Sequence, residues 1–390
     1  MNLPERLAAA GLTLPDYGRR DLGAVLSGAF AAVGAADAVV GRDARADQAR
    51  LGLGARSHVV VVLLDGLGAL QLGEFGGHAP FLRSIARKGL SAGYPSTTAS
   101  SLAFLGTGRP AGQTGMAGYT VRNPRTGGLA NLVSWDGAYD AHEWQPYPSL
   151  LEAASAQGVA VTAIGKARFE GSGLTQAALR GGTFVGAEGL DARVDAALAA
   201  ARRPGVTYLY WAEIDKAGHH HGWGSDAWVA QLEDADRALR RLASSLPRGA
   251  ALVATADHGM VNVTGAERWD VAEDAALREG VALVAGEPRA MHLHVESPAA
   301  ASDVAARWSE RLGSAAVVAT REEAREHRLF GVLDASVEDR IGDVVVAMAG
   351  RASVVDSRTQ TKASLSLVGM HGSLTPAELR IPLLVAEAAA

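Results

Sequence analysis

Residues Val59 to Leu64 form an unbroken run of β-branched and aliphatic side chains, entered from His58 and ended by Asp65-Gly66. A strand with one wet face alternates polar and apolar residues; a strand without polar positions needs cover on both faces, as in a parallel sheet between helical layers. The run is far too short to cross a bilayer, which takes about 20 residues. Similar short runs recur at Val159–Ile164, Val206–Trp211 and Ala250–Ala254. Helical patterning occupies Leu22–Val33, Pro80–Lys88, Leu150–Gln157, Ala192–Ala201 and Trp228–Ser244. The alternation predicts an α/β fold with a mainly parallel sheet. Residues 266–334 differ: helix, strand Arg289–Val295, helix Ala301–Gly313, strand Ala315–Ala319, helix Arg321–His327. They read as a small inserted α+β domain, leaving 1–265 plus 335–390 as the core. Gly342–Ala349 and Ile381–Val385 are expected to return to the main sheet.

Composition narrows the chemistry. The 390 residues carry 37 basic and 42 acidic side chains, a net charge of −5. That balance argues against a nucleic-acid polymer or a membrane surface as partner. There is no cysteine, so disulfides and thiolate metal sites are excluded. Met1 to Arg6 lacks the basic and apolar regions of a secretory signal, and the expected location is the cytoplasm.

In open α/β sheets, ligands bind beyond the carboxyl ends of the strands. Asp65 follows the Val59–Leu64 run directly. Asp215 and His219 follow Val206–Trp211, and Asp257-His258-Gly259 follows Ala250–Ala254. A fourth cluster, Gly369-Met370-His371-Gly372, lies beyond the insertion. Three carboxylates and three imidazoles could meet at one sheet edge. Six such ligands are too many for one tetrahedral ion but suit two, with zinc or manganese as the divalent metal. A pair of metals about 3.5–4 Å apart suits in-line phosphoryl transfer. Ser96-Thr97-Thr98 offers hydroxyls where a helix is expected to begin, and a helix N-terminus favours phosphate. Taken singly, each cluster is explained as well by turn and capping chemistry; their joint placement at strand ends is not.

The chain resembles the alkaline phosphatase superfamily, and most closely its type I phosphodiesterase/nucleotide pyrophosphatase family. The resemblance rests on Leu64-Asp65-Gly66, Pro95-Ser96-Thr97-Thr98, Thr107-Gly108-Arg109-Pro110, Asp215-Lys216-Ala217-Gly218-His219, Ala256-Asp257-His258-Gly259 and Met370-His371-Gly372. It implies a three-layer αβα core with a small insertion, and two divalent metals, usually zinc. It implies one metal held by Asp65, Asp257, His258 and the nucleophile, and a second held by Asp215, His219 and His371. The family pattern counts from Pro95 to Thr98 as nucleophile, with Thr97 as the fallback. The family also uses an asparagine about twenty residues further on to hold a phosphoryl oxygen; Tyr119 and Asn123 stand in that neighbourhood. Lys166 and Arg168, just past a strand, are candidates for substrate phosphate. The implied activity is a phosphodiesterase or nucleotide pyrophosphatase acting through a phosphothreonine, on a small phosphoester such as a nucleotide.

Two other readings are open. A phosphomonoesterase or phosphonate-cleaving hydrolase would use the same metals with added cationic contacts. A dinucleotide-binding module is suggested by Gly66-Leu67-Gly68, but Gln71 stands where the third glycine of that motif belongs.

Overall fold

The computed structural model describes residues 1–388. His58–Leu64 is a strand buried along its whole length, at the centre of a seven-stranded sheet. Across the sheet the order is Ala86–Ser91, Arg380–Glu387, Ala250–Thr255, His58–Leu64, Gly205–Trp211, Ala160–Gly165 and Thr183–Gly186. All pairings are parallel except the two made by Arg380–Glu387. The central strands lack a polar face because helices cover both sides, among them Ala24–Ala32 and the 20-residue Asp226–Ser245. This is the expected α/β architecture. No described helix is long and apolar enough to cross a membrane.

A second, six-stranded antiparallel sheet has the order Ala316–Thr320, Val344–Met348, Ala290–Val295, Val281–Glu287, Thr120–Arg122, Leu129–Asn131. It corrects one expectation. Val344–Met348 pairs here with Ala290–Val295 and does not return to the main sheet. A run of valines carries no mark of which sheet it joins, since either one buries it. The second sheet also draws in residues 120–131, outside the span read as an insertion. Its core is separate, with Trp308 and Leu293 fully buried among valines and methionines.

A second correction concerns Pro80–Lys88. The helix ends at Ser84, and Ala86–Ser91 is an edge strand antiparallel to Arg380–Glu387. An edge strand with an exposed start shows little apolar periodicity, so the sequence did not mark it.

Candidate active site

The main sheet delivers the predicted residues to one edge. Asp65 leaves the central strand, with its backbone N–H on the carbonyl of Trp211 (2.9 Å). The next residue, Gly66, has φ of +74°, and a Cβ there would lie 2.8 Å from Cβ of Asp215. Glycine is needed on both counts. Its N–H donates to Oδ1 of Asp257 (3.1 Å), tying two strand ends together. Asp215 and His219 share one face of the helix Glu213–His221, one turn apart. Met370 pairs with Val261, which carries His371 back beside the Asp257-His258 turn. Ser96 bridges to Gly372, with Ser96 N on the Gly372 carbonyl at 3.0 Å. Thr98 then opens the ten-residue helix Thr98–Thr107, whose preceding residue Thr97 makes no side-chain cap.

All six predicted ligands and Thr98 converge. His258 Nε2 lies 3.3 Å from Thr98 Oγ1, 3.5 Å from Asp65 Oδ1 and 3.5 Å from Asp257 Oδ2. His219 Nε2 lies 3.2 Å from Asp215 Oδ2 and 3.3 Å from His371 Nε2. His371 Nε2 is 3.8 Å from Asp215 Oδ1. The His258 and His371 rings stack with centroids 3.6 Å apart and join the two groups.

The donor set fits divalent cations. Each imidazole uses Nδ1 on a backbone carbonyl: His258 on Gly259 (2.9 Å), His219 on Gly369 (2.7 Å), His371 on Ser96 (3.0 Å). With Nδ1–H donating to the carbonyl, the Nε2 lone pair faces the cluster, as metal-binding histidines require. On the carboxylates, Asp65 Oδ1, Asp215 Oδ1 and Asp257 Oδ2 are buried without a hydrogen-bond partner. Such orphaned acceptors are costly unless something positive meets them. Asp215, His219 and His371 could hold one ion; Asp65, Asp215 and His258 come equally close together. Asp215 thus lies within reach of both groups, whereas the resemblance places Asp257, not Asp215, with Asp65 and His258. Asp257 has one oxygen committed to two backbone N–H groups and the other free.

The charges show the same strain. Burial, then the carboxylates of Asp257 and Asp215, push the Asp65 carboxyl well above its ordinary range. Burial also raises Asp257, against the pull of His258. Burial would raise Asp215 too, but the imidazoles of His219, His371 and His258 hold it well below the usual carboxylate range. His219 is buried, which opposes its charge, yet the Asp215 carboxylate raises it to about 9. His371 is depressed by burial and then by His258.

Two cavities open from this cluster. The larger, of about 560 Å³, is lined by Thr98, Asp65, Tyr119, Lys166, Arg168, Phe169 and Tyr210 among others. Lys166 is not free: its Nζ is 2.9 Å from Glu213 Oε1. Arg168 lies over the Phe169 ring at 5.0 Å. Tyr119 borders both cavities. Asn123 borders neither, a correction to its candidacy. Its Nδ2 donates to Gly137 O (2.7 Å) and its Oδ1 accepts from Arg125 N (2.9 Å), so it serves a turn.

Two residues gain roles that the sequence did not assign. The Tyr210 hydroxyl donates to Asp65 Oδ2, the oxygen opposite the orphaned one. Its place one residue before the end of a strand beside Asp65 is the only signal that could have found it. Glu287 is buried at the edge of the second cavity, with Oε2 accepting from Tyr119 N (2.6 Å) and Oε1 unpaired. Only the pairing of Gly286 with Thr120 brings it there. The alternating His292 and His294 are both buried; His292 Nε2 donates to Ala117 O at 2.7 Å.

A mainly parallel α/β sheet with a histidine–carboxylate cluster and a hydroxyl at its carboxyl edge is the arrangement expected of a phosphoester hydrolase of the alkaline phosphatase superfamily. Residues 59–374 match the model of the type I phosphodiesterase / nucleotide pyrophosphatase family, and the chain belongs to that family. No curated relative matches the sequence. Among solved structures, the chain is similar to murine ectonucleotide pyrophosphatase / phosphodiesterase 5, in an inactive form with AMP, at 18% identity and a TM-score of 0.67, covering 84% of this chain and 87% of that one. The human counterpart gives 17% identity, a TM-score of 0.66 and coverage of 85% and 88%. Phosphonoacetate hydrolase from Sinorhizobium meliloti with phosphonoformate gives 21% identity, a TM-score of 0.63 and coverage of 85% and 90%. At these identities the likeness establishes the shared fold.

Proposed function

We propose that the protein hydrolyses phosphodiesters or nucleotide pyrophosphates through a covalent intermediate on Thr98. Asp65, Asp257, His258 and Thr98 hold one divalent metal; Asp215, His219 and His371 hold the other. When bound, the metals supply Lewis-acid stabilisation of the phosphoryl oxygens and lower the threonine hydroxyl pKa. The rest is done by the chain. The turn from Pro95 to Thr98 and the helix behind it fix Oγ1 at the cluster. Thr98 Oγ1 loses its proton to solvent and bonds to phosphorus as the opposite P–O bond breaks, and the departing oxygen leaves with the electron pair and takes a proton from solvent. Water then attacks phosphorus from the vacated side and frees Thr98.

The observation that carries this reading is the convergence of Thr98 Oγ1 with six side chains whose free donor atoms all face one another. The charge of Lys166 is matched by Glu213, while Arg168 and Lys216 line the same cavity and could meet a terminal dianion, so the diester reading rests on the family and the assay decides it. The test is Thr98→Ala with metal content measured, assayed on bis(p-nitrophenyl) phosphate and p-nitrophenyl phosphate. The expected result is full metal loading, turnover of the diester reduced about a thousandfold or more, and a wild-type preference for the diester. Near-normal turnover by the variant would remove Thr98 from the reaction. Thr97→Ala should keep activity, since Thr98 is the threonine placed on His258.

A further inference from the structure

The larger cavity reaches past the cluster into an apolar hollow. Leu102, which lines it, stands one turn beyond Thr98 on the same face of the helix Thr98–Thr107. The cavity therefore runs from Thr98 along its own helix. On the opposite wall, Ala163 pairs in register with Tyr208 on one side and with Phe184 on the other. Paired residues of a parallel sheet point to the same face, so the three side chains form one row, and all three line the cavity. A single methyl between two rings leaves a hollow. Gly165 extends it: a Cβ there would touch Phe184 at 3.5 Å and Phe169 at 3.6 Å. Leu174, on the helix Gly173–Ala178, and Leu179 complete the lining. We propose that this hollow holds the ester group that stays on phosphorus when the first bond breaks, and that this group is an apolar alkyl or aryl substituent and not a nucleoside. The inference rests on the phosphodiesterase reading and assigns the retained half of the substrate.

Three observations point to that class. First, in-line transfer sends the departing oxygen away from Thr98, whereas the hollow lies beside Thr98 and Leu102 on one helix. Second, the polar groups around the hollow are spent within the chain. Ser172 Oγ donates to Thr175 Oγ1 (3.0 Å), the Gly165 carbonyl accepts from Ala187 N (2.8 Å), and the Tyr210 hydroxyl is on Asp65. The Tyr208 hydroxyl is buried away from the cavity space. The polar edges of a base and the hydroxyls of a sugar would lose water there without replacement, which is costly; an apolar group gains by leaving water. Third, the charges of this cavity sit elsewhere. Lys166 is matched by Glu213, and Arg168 and Lys216 are exposed, which places them at the mouth.

The experiment uses three p-nitrophenyl phosphodiesters that differ only in the second alcohol: methyl, cyclohexylmethyl and thymidine 5′. All three lose the same p-nitrophenolate from a primary alkyl ester, so differences report the retained group. The cyclohexylmethyl ester should have kcat/KM about tenfold or more above both others. Ala163→Leu, which fills the hollow between the two rings, should bring the cyclohexylmethyl ester down to the level of the methyl ester with metal content unchanged. A measurement on wild-type protein stands beside the variant: cyclohexylmethylphosphonate should inhibit about tenfold or more tightly than methylphosphonate. Equal rates for the three esters, a preference for the methyl or thymidine ester, equal inhibition by the two phosphonates, or an unchanged ester ratio in folded Ala163→Leu would overturn the proposal alone. Inactivity of fully metal-loaded wild-type protein on every diester, bis(p-nitrophenyl) phosphate included, would overturn the phosphodiesterase reading, and this proposal with it.

Discussion

Tyr210→Phe isolates one contact at the proposed metal site. The ring stays, packed edge-on against Phe169 at 5.8 Å; what goes is the hydroxyl that donates to Asp65 Oδ2. That bond favours the ionised carboxylate, against burial and two neighbouring acids. A hydrogen bond to a charged group contributes about 1.5–3 kcal/mol. At about 1.4 kcal/mol per factor of ten, Asp65 should bind its metal roughly 10–100-fold more weakly, in line with other losses beyond the ligand shell. The assay is a zinc titration of metal-free protein against a chromophoric chelator. One site should weaken by that factor, and the site at His219 and His371 should change little. Tyr208→Phe is the control. Tyr208 stands two residues earlier on the same strand, and its hydroxyl has no partner, so both affinities should match wild type. Unchanged zinc binding in a folded Tyr210→Phe protein would refute the claim that this hydroxyl holds Asp65 in place.

Removal of metal should lower the melting temperature, and adding zinc in excess should restore it, because ligand bound only to the folded state stabilises it by mass action; calorimetry with and without chelator reads this directly. Burial pushes the Glu287 carboxyl up to about 8. Its folded pKa is raised, so its stabilising contribution is complete below the unfolded value of 4.5 and is lost as pH rises through about 8. Glu287→Gln should therefore flatten the fall in stability across that window and be the more stable form at its alkaline end, as urea titrations at several pH values would show. Gly66→Ala meets Asp215 at 2.8 Å and a φ of +74°; a loss of about 1–3 kcal/mol together with reduced zinc content is expected, and a variant with wild-type stability and loading would contradict the packing argument.

Much of the site was legible because its residues sit where strands stop. The ends of Val59–Leu64, Val206–Trp211 and Ala250–Ala254 could be read from apolar runs, and ligand chemistry follows those ends. The Asp215–His219 spacing of four became interpretable once a helix, Glu213–His221, was found to carry it. What stayed hidden depends on partners distant in the chain. Val344–Met348 looks like any buried strand, and only pairing with Ala290–Val295 assigns it to the second sheet. Lys166 read as a free cation because Glu213 lies 47 positions away and on another element. Asn123 fell near the expected count from Thr98, but counting residues cannot tell that a turn consumes its amide. Glu287 gave no signal, since one acid before a proline is ordinary until strand register sets it against Tyr119.

The antiparallel strand Arg380–Glu387 is an interior member of the main sheet, lying between Ala86–Ser91 and Ala250–Thr255. A growing polypeptide cannot finish that sheet while it is still short of residue 387. Until then Ala250–Thr255, an apolar strand buried at every position, offers an open edge of the kind that invites association with other chains. His371 and the Gly372 bridge to Ser96 belong to the same stretch of chain, between Thr255 and residue 387. Covering that edge and completing the histidine–carboxylate cluster thus both wait on residues 371–387, and a chain stalled before them would keep Ala250–Thr255 open.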